Sequence, residues 1–150
     1  MKMRTPHVIA ALLLALIATP VAATGQASYA PANVVYDLTT AEPAKLANIL
    51  DRVSMLQNLY GNDPFAASIV VVIHGGAIPL LAKGGRIYHS ALASRAQDLA
   101  VGGMIQFRLC AASAKMQGYG QGDFEGFIEL VPMADAEIIR LQSDGYAYLH

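Results

Sequence analysis

The chain has 150 residues, room for one domain, and is 55% hydrophobic and 14% charged, which excludes an intrinsically disordered or acidic-tail protein. Ten Lys and Arg against 11 Asp and Glu give a net charge of −1, with no long basic run to track a nucleic-acid backbone. One cysteine excludes an internal disulfide and a multi-cysteine zinc centre.

Lys2 and Arg4 precede an apolar run from Val8 to Ala18, Thr19 and Pro20 end it, and Val21, Ala22 and Ala23 are small or apolar. This is the pattern of a secretory signal peptide over 1–23, cleaved after Ala23, with Ala27 as the alternative. A membrane span needs roughly 20 apolar residues, and Pro20 interrupts this run too early. Losing Lys2 and Arg4 leaves 8 basic and 11 acidic residues and a net charge of −3. The expected location is the bacterial periplasm, with no membrane contact after cleavage. No cysteine lies near the cleavage site to take a lipid anchor.

Residues 24–32, rich in Ala, Ser, Gly and Pro, read as a flexible leader, and 33–150 as the folded domain. The β-rich stretch Val34–Leu38 predicts a first strand. Thr39 and Glu42 have capping-box spacing, and Leu46, Ile49, Leu50, Val53 and Leu56 form one apolar helix face. Gly61 and Asn62-Asp63-Pro64 close that helix. Ser68–Ile73 is a continuous apolar, β-branched run, expected in the centre of a parallel sheet, and it leads into His74-Gly75-Gly76. A short helix over Ile78–Leu81 precedes Gly84-Gly85. An amphipathic helix over about 90–101 follows, with Leu92, Ala96 and Leu99 inward.

Met104–Leu109 predicts a third strand, with Cys110 directly after it and a helix over Ala111–Met116. Four glycines over Gly118–Gly126 make a loop. Phe127–Val131 reads as a fourth strand, and 134–142 as a helix with Ile138, Ile139 and Leu141 apolar. Tyr146–Leu149 reads as a short edge strand. Strands alternate with helices, so the expected fold is α/β: a flavodoxin-like three-layer sandwich with a mostly parallel sheet of about five strands.

Ligands in such sheets bind beyond the carboxyl ends of the strands. His74 ends the second strand and Cys110 the third. Backbone N–H groups at a helix start favour a thiolate, so Cys110 is a candidate nucleophile; the competing reading is a buried, inert cysteine. Arg108 shares its strand face and would either add positive potential or point to solvent at an interface. His74 could position a substrate, donate a hydrogen bond or exchange a proton with Cys110, or else only fix its loop. Its two glycines would let backbone approach a ligand closely. Asp37 reads as ordering the turn before the first helix. Tyr146 and Tyr148 read as packing a subunit interface. His89 and His150 show no ligand spacing with His74, so no metal is expected. Neither glycine-rich stretch is a dinucleotide or phosphate-loop fingerprint, so no organic cofactor is expected.

Three stretches carry a resemblance over roughly 33–149: the strand running into His74-Gly75; Met104–Leu109 ending in Cys110, with Ala114 and Lys115 behind; and Ile139–Tyr148. On these the chain resembles the DsrE/DsrF-like family of sulfur-relay proteins, in its small exported branch. The resemblance implies the α/β fold and a homo-oligomer, a trimer or hexamer. It also implies a persulfide on the cysteine matching Cys110, with no cofactor and with sulfur donor and acceptor proteins or thiols as partners. Relatives often carry a polar residue such as Asn shortly after the cysteine. Here Ala111 and Ala112 follow, and Ser113 is the first polar side chain. The expected function is a periplasmic sulfur carrier acting through Cys110 and His74. The alternative is a non-catalytic oligomeric binding module with a structural cysteine.

Overall fold

The computed structural model describes residues 29–150; the expected signal peptide and leader residues 24–28 lie outside the described residues. Five strands, β1 (Ala32–Leu38), β2 (Ala67–Ile73), β3 (Ile105–Cys110), β4 (Ile128–Val131) and β5 (Ala147–Leu149), form one sheet in the order β4-β3-β2-β1-β5. Every pairing is parallel. The helices are α1 (Pro43–Leu59), α2 (Ile78–Leu81), α3 (Ser90–Ala100), α4 (Ala111–Met116) and α5 (Ala134–Ser143), with 3-10 turns at Gly75–Ala77 and Gln121–Asp123. The first four strands step across the sheet in one direction. The chain then returns through α5 to the free side of β1, so the last strand becomes an edge. In flavodoxin the second strand holds that edge.

Alternation along the strands assigns the two faces. Tyr36, Leu38, Ile69, Val71, Ile73, Phe107 and Leu109 point into the larger core beneath α1, α2 and α3. Val35, Val70, Val72 and Cys110 point the other way, into a smaller core closed by Ala134, Ile138 and Leu141 of α5. Residues 70–73 of β2 are wholly buried, as a strand covered on both faces must be. The architecture is the expected three-layer α/β sandwich.

Several local expectations change. The capping box on Thr39 does not form: Glu42 is the N-cap of α1 and its N–H donates to Thr40 Oγ1 at 3.2 Å. Pro43 causes this. It lacks an N–H, fits the first helical position, and holds the preceding residue extended; Glu42 has ψ 115°. In α3 the fully buried residues are Ala93 and Ala96, with Leu92 and Leu99 only partly covered. In α5, Ile138 and Leu141 are buried while Ile139 is exposed, because one residue step turns a side chain about 100° around a helix. Among the described residues no helix is long and apolar enough to cross a membrane.

Candidate functional site

All five strands end on the same side, so the polar residues that follow them meet there. After β3 the chain enters α4, whose Ala114 joins the larger core. After β4 it enters α5, on the opposite face. Neighbouring strands whose outgoing helices diverge leave a crevice between them. Cys110 lies at that crevice as the last residue of β3 and the N-cap of α4.

The Ser113 N–H donates to Cys110 Sγ at 3.4 Å. Burial raises the thiol pKa. The Ser113 N–H bond, with the backbone N–H groups of Ala134 and Ala112 close to the sulfur, outweighs it and holds the pKa below the ordinary 9.0. The starts of two helices therefore stabilise one sulfur. The residue is 3% exposed, yet it borders a pocket of about 180 Å³ lined also by His74, Ser113, Met116, Met133 and Asp135. Met116 and Met133, on either side, are 88% and 50% exposed. The thiol is free.

His74 stands beside Cys110. The β2–β3 pairing ends at Ile73 and Leu109, and each candidate is the next residue, on strands about 4.8 Å apart. The His74 imidazole meets β1, where Nε2 lies 2.7 Å from Asp37 Oδ1. The second carboxylate oxygen, Oδ2, accepts a hydrogen bond from the Tyr148 hydroxyl at 2.7 Å. That bond and burial raise the Tyr148 pKa. Asp37 therefore does not order the turn before α1; it joins His74 to β5. The Tyr146 hydroxyl shares a hydrogen bond of 2.8 Å with Ser68. Both tyrosines are thus engaged within the chain.

One further expectation needs correction. Arg108 lends no free positive potential to Cys110. It pairs with Glu137 and, at 3.4 Å, with Glu129, and it donates to Gln106 Oε1 at 2.6 Å. Gly75 and Gly76 serve the backbone. Gly75 has φ +55°, and a Cβ at Gly76 would lie 3.2 Å from both Ala41 N and Thr39 O. The glycines let the turn after β2 pack against the loop after β1, which brings His74 to Asp37. Strand alternation could have placed Asp37, His74 and Cys110 on one face in advance. Tyr148 could not be found that way, because its partner depends on β5 lying beside β1. Met133, Ala134 and Asp135 depend on how α5 leaves β4. Among the described residues no group of three His, Cys, Asp or Glu side chains is placed to hold a metal ion.

No curated protein matches this chain. Among solved structures, MTH1491 of Methanobacterium thermoautotrophicum, described as a protein of unknown function, superposes with a TM-score of 0.62. The two share 19% identity over 79% of this chain and 97% of that one, a likeness of fold. The model of the DsrE/DsrF-like family matches residues 27–150, nearly the whole domain. With its parallel five-stranded sheet and the cysteine closing its third strand, this chain belongs to the DsrE/DsrF-like family.

Proposed function

We propose that this protein is an exported sulfur carrier that accepts and passes sulfane sulfur on Cys110. The observation that carries this reading is the Sγ atom at the junction of α4 and α5. It faces backbone donors and opens on a pocket shared with His74. A thiolate is the nucleophile that sulfur exchange requires, and lowering its pKa raises the fraction present near neutral pH.

The step balances without an oxidant or cofactor. The Cys110 thiolate attacks the terminal sulfur of a donor R–S–SH, the donor S–S bond breaks, and RS⁻ leaves with the bonding pair. Cys110 is left as Cys–S–SH. Transfer onward is the same displacement, with an acceptor thiolate attacking the outer sulfur. A small, open pocket suits a carrier that must present its sulfur to other thiols.

The N-terminal residues support export to the periplasm. Assembly into a homo-oligomer is part of the proposal. It is supported by an apolar depression of about 470 Å³ lined by Tyr36, Met55, Leu56, Leu59 and Leu149, where Met55 and Leu59 are exposed. The rival reading, a binding module with a structural cysteine, draws on the low exposure of Cys110. Mass spectrometry of the native protein after incubation with polysulfide separates them. The carrier gains one sulfur atom, reversed by a thiol and absent in Cys110→Ser. A native protein that takes up no sulfur from any sulfane donor overturns the carrier.

A further inference from the structure

We propose that His74 is the general acid that protonates the sulfur leaving from Cys110's partner, and that Asp37 and Tyr148 are positioning residues that fix the orientation of its ring. This rests on the carrier reading and adds what displacement at Cys110 otherwise lacks. A thiolate leaving an aliphatic donor is a strong base, and the rate of exchange falls as the leaving thiol's pKa rises. A proton delivered as the S–S bond breaks removes that penalty.

The geometry supplies the proton carrier. A carboxylate oxygen 2.7 Å from Nε2 accepts, so Nε2 carries its hydrogen toward Asp37. Among the described residues Nδ1 has no partner, and His74 lines the pocket that Cys110 borders. Nδ1 is therefore the nitrogen that exchanges protons with the contents of the pocket. The Asp37 carboxylate is used on both oxygens, by His74 and by Tyr148, and this fixes its plane and so the imidazole's. The His74 backbone N–H donates to Leu38 O at 3.0 Å, which anchors the residue to β1 at its other end. The arrangement is a chain from Tyr148 on β5 through Asp37 on β1 to His74 after β2, ending at the mouth of Cys110.

The proton inventory closes. Cys–S⁻, R–S–SH and the imidazolium of His74 give Cys–S–SH, RSH and neutral imidazole. One S–S bond breaks, one forms, and one proton moves from Nδ1 to the leaving sulfur. Other titratable groups face the same space. Asp135 of α5 lines the Cys110 pocket, while Lys45 and Arg52 of α1 border the cleft on the other side of Asp37. None of these three is hydrogen-bonded to His74.

The test varies the leaving group. Native protein is reacted with 2,2′-dipyridyl disulfide, which expels a stabilised thiopyridone, and with bis(2-hydroxyethyl) disulfide, which expels an aliphatic thiolate. Both are followed by mass. His74→Gln slows the aliphatic reaction on the order of 10²-fold and leaves the pyridyl reaction unchanged. Asp37→Asn and Tyr148→Phe give smaller losses with the same selectivity, with circular dichroism spectra like that of the parent. Equal slowing with both disulfides, or no slowing with either, overturns the acid role while leaving the carrier standing. A parent protein inert to both disulfides overturns the two together.

Discussion

Tyr148 and Asp37, 111 residues apart in the chain, meet at 2.7 Å, and through that bond the last strand takes part in the site built by the first three. β5 has only three residues paired to β1. Two side-chain hydrogen bonds add to that short ladder. Here one tyrosine hydroxyl reaches Asp37 and the other reaches Ser68, on the face that also carries His74 and Cys110.

The depressed thiol pKa of Cys110 predicts a pH-dependent stability. A thiol whose folded pKa lies below 9.0 binds fewer protons folded than unfolded across that interval, so stability rises with pH there. Its contribution is fully present above the unfolded value and is lost as pH falls through the folded one. In urea titrations the parent gains on Cys110→Ser as pH is raised from neutral toward 9.0. Parallel curves for the two proteins across that range would show the thiol unperturbed.

The ion cluster between β3, β4 and α5 contributes to stability. Arg108 and Glu137 are 15% and 11% exposed, and Arg140 also reaches Glu137, at 2.8 Å. Hydrogen bonds from Arg140, opposed by burial and reinforced by Arg108, hold the Glu137 pKa below 4.5. Glu137→Gln removes one of the two carboxylates on Arg108 and costs about 1–2 kcal/mol, between an exposed and a fully buried pair, because both side chains are part-buried and Glu129 remains nearby. Arg140→Ala, on the exposed side, changes stability little. Urea denaturation at neutral pH checks both. The deficit of Glu137→Gln shrinks as pH falls through the folded pKa, because the parent then loses the same charge.

Much of this was legible beforehand. The β-branched run at 68–73, the short helix at 78–81 and the helix at 111–116 follow from local patterning, and the structure places them there. The pairing of His74 with Cys110 at neighbouring strand ends was legible for the same reason, since each closes a strand of a parallel sheet. What local pattern could not carry was side-chain partnership across strands. Arg108 is neutralised by Glu137 from α5, Asp37 turns to His74, and Ile139 faces solvent beside a buried Ile138. These depend on strand order and helix rotation, which no single segment specifies.

Assembly has its own test. If the depression between α1 and β5 joins copies of the chain, Leu59→Glu places a charge in it and shifts the particle to a smaller mass by light scattering, without altering thiol chemistry. A parent that is monomeric at every concentration would show that this depression does not join copies of the chain.

Sulfur transfer through this site requires Cys110 to be ionised and reachable in the folded protein. The measurement that addresses this most directly is the rate of iodoacetamide alkylation of the native chain as a function of pH. The expected result is a single modified cysteine whose rate has its midpoint below 9.0. A thiol that stays unmodified until the protein is unfolded, or titrates at or above that value, contradicts it.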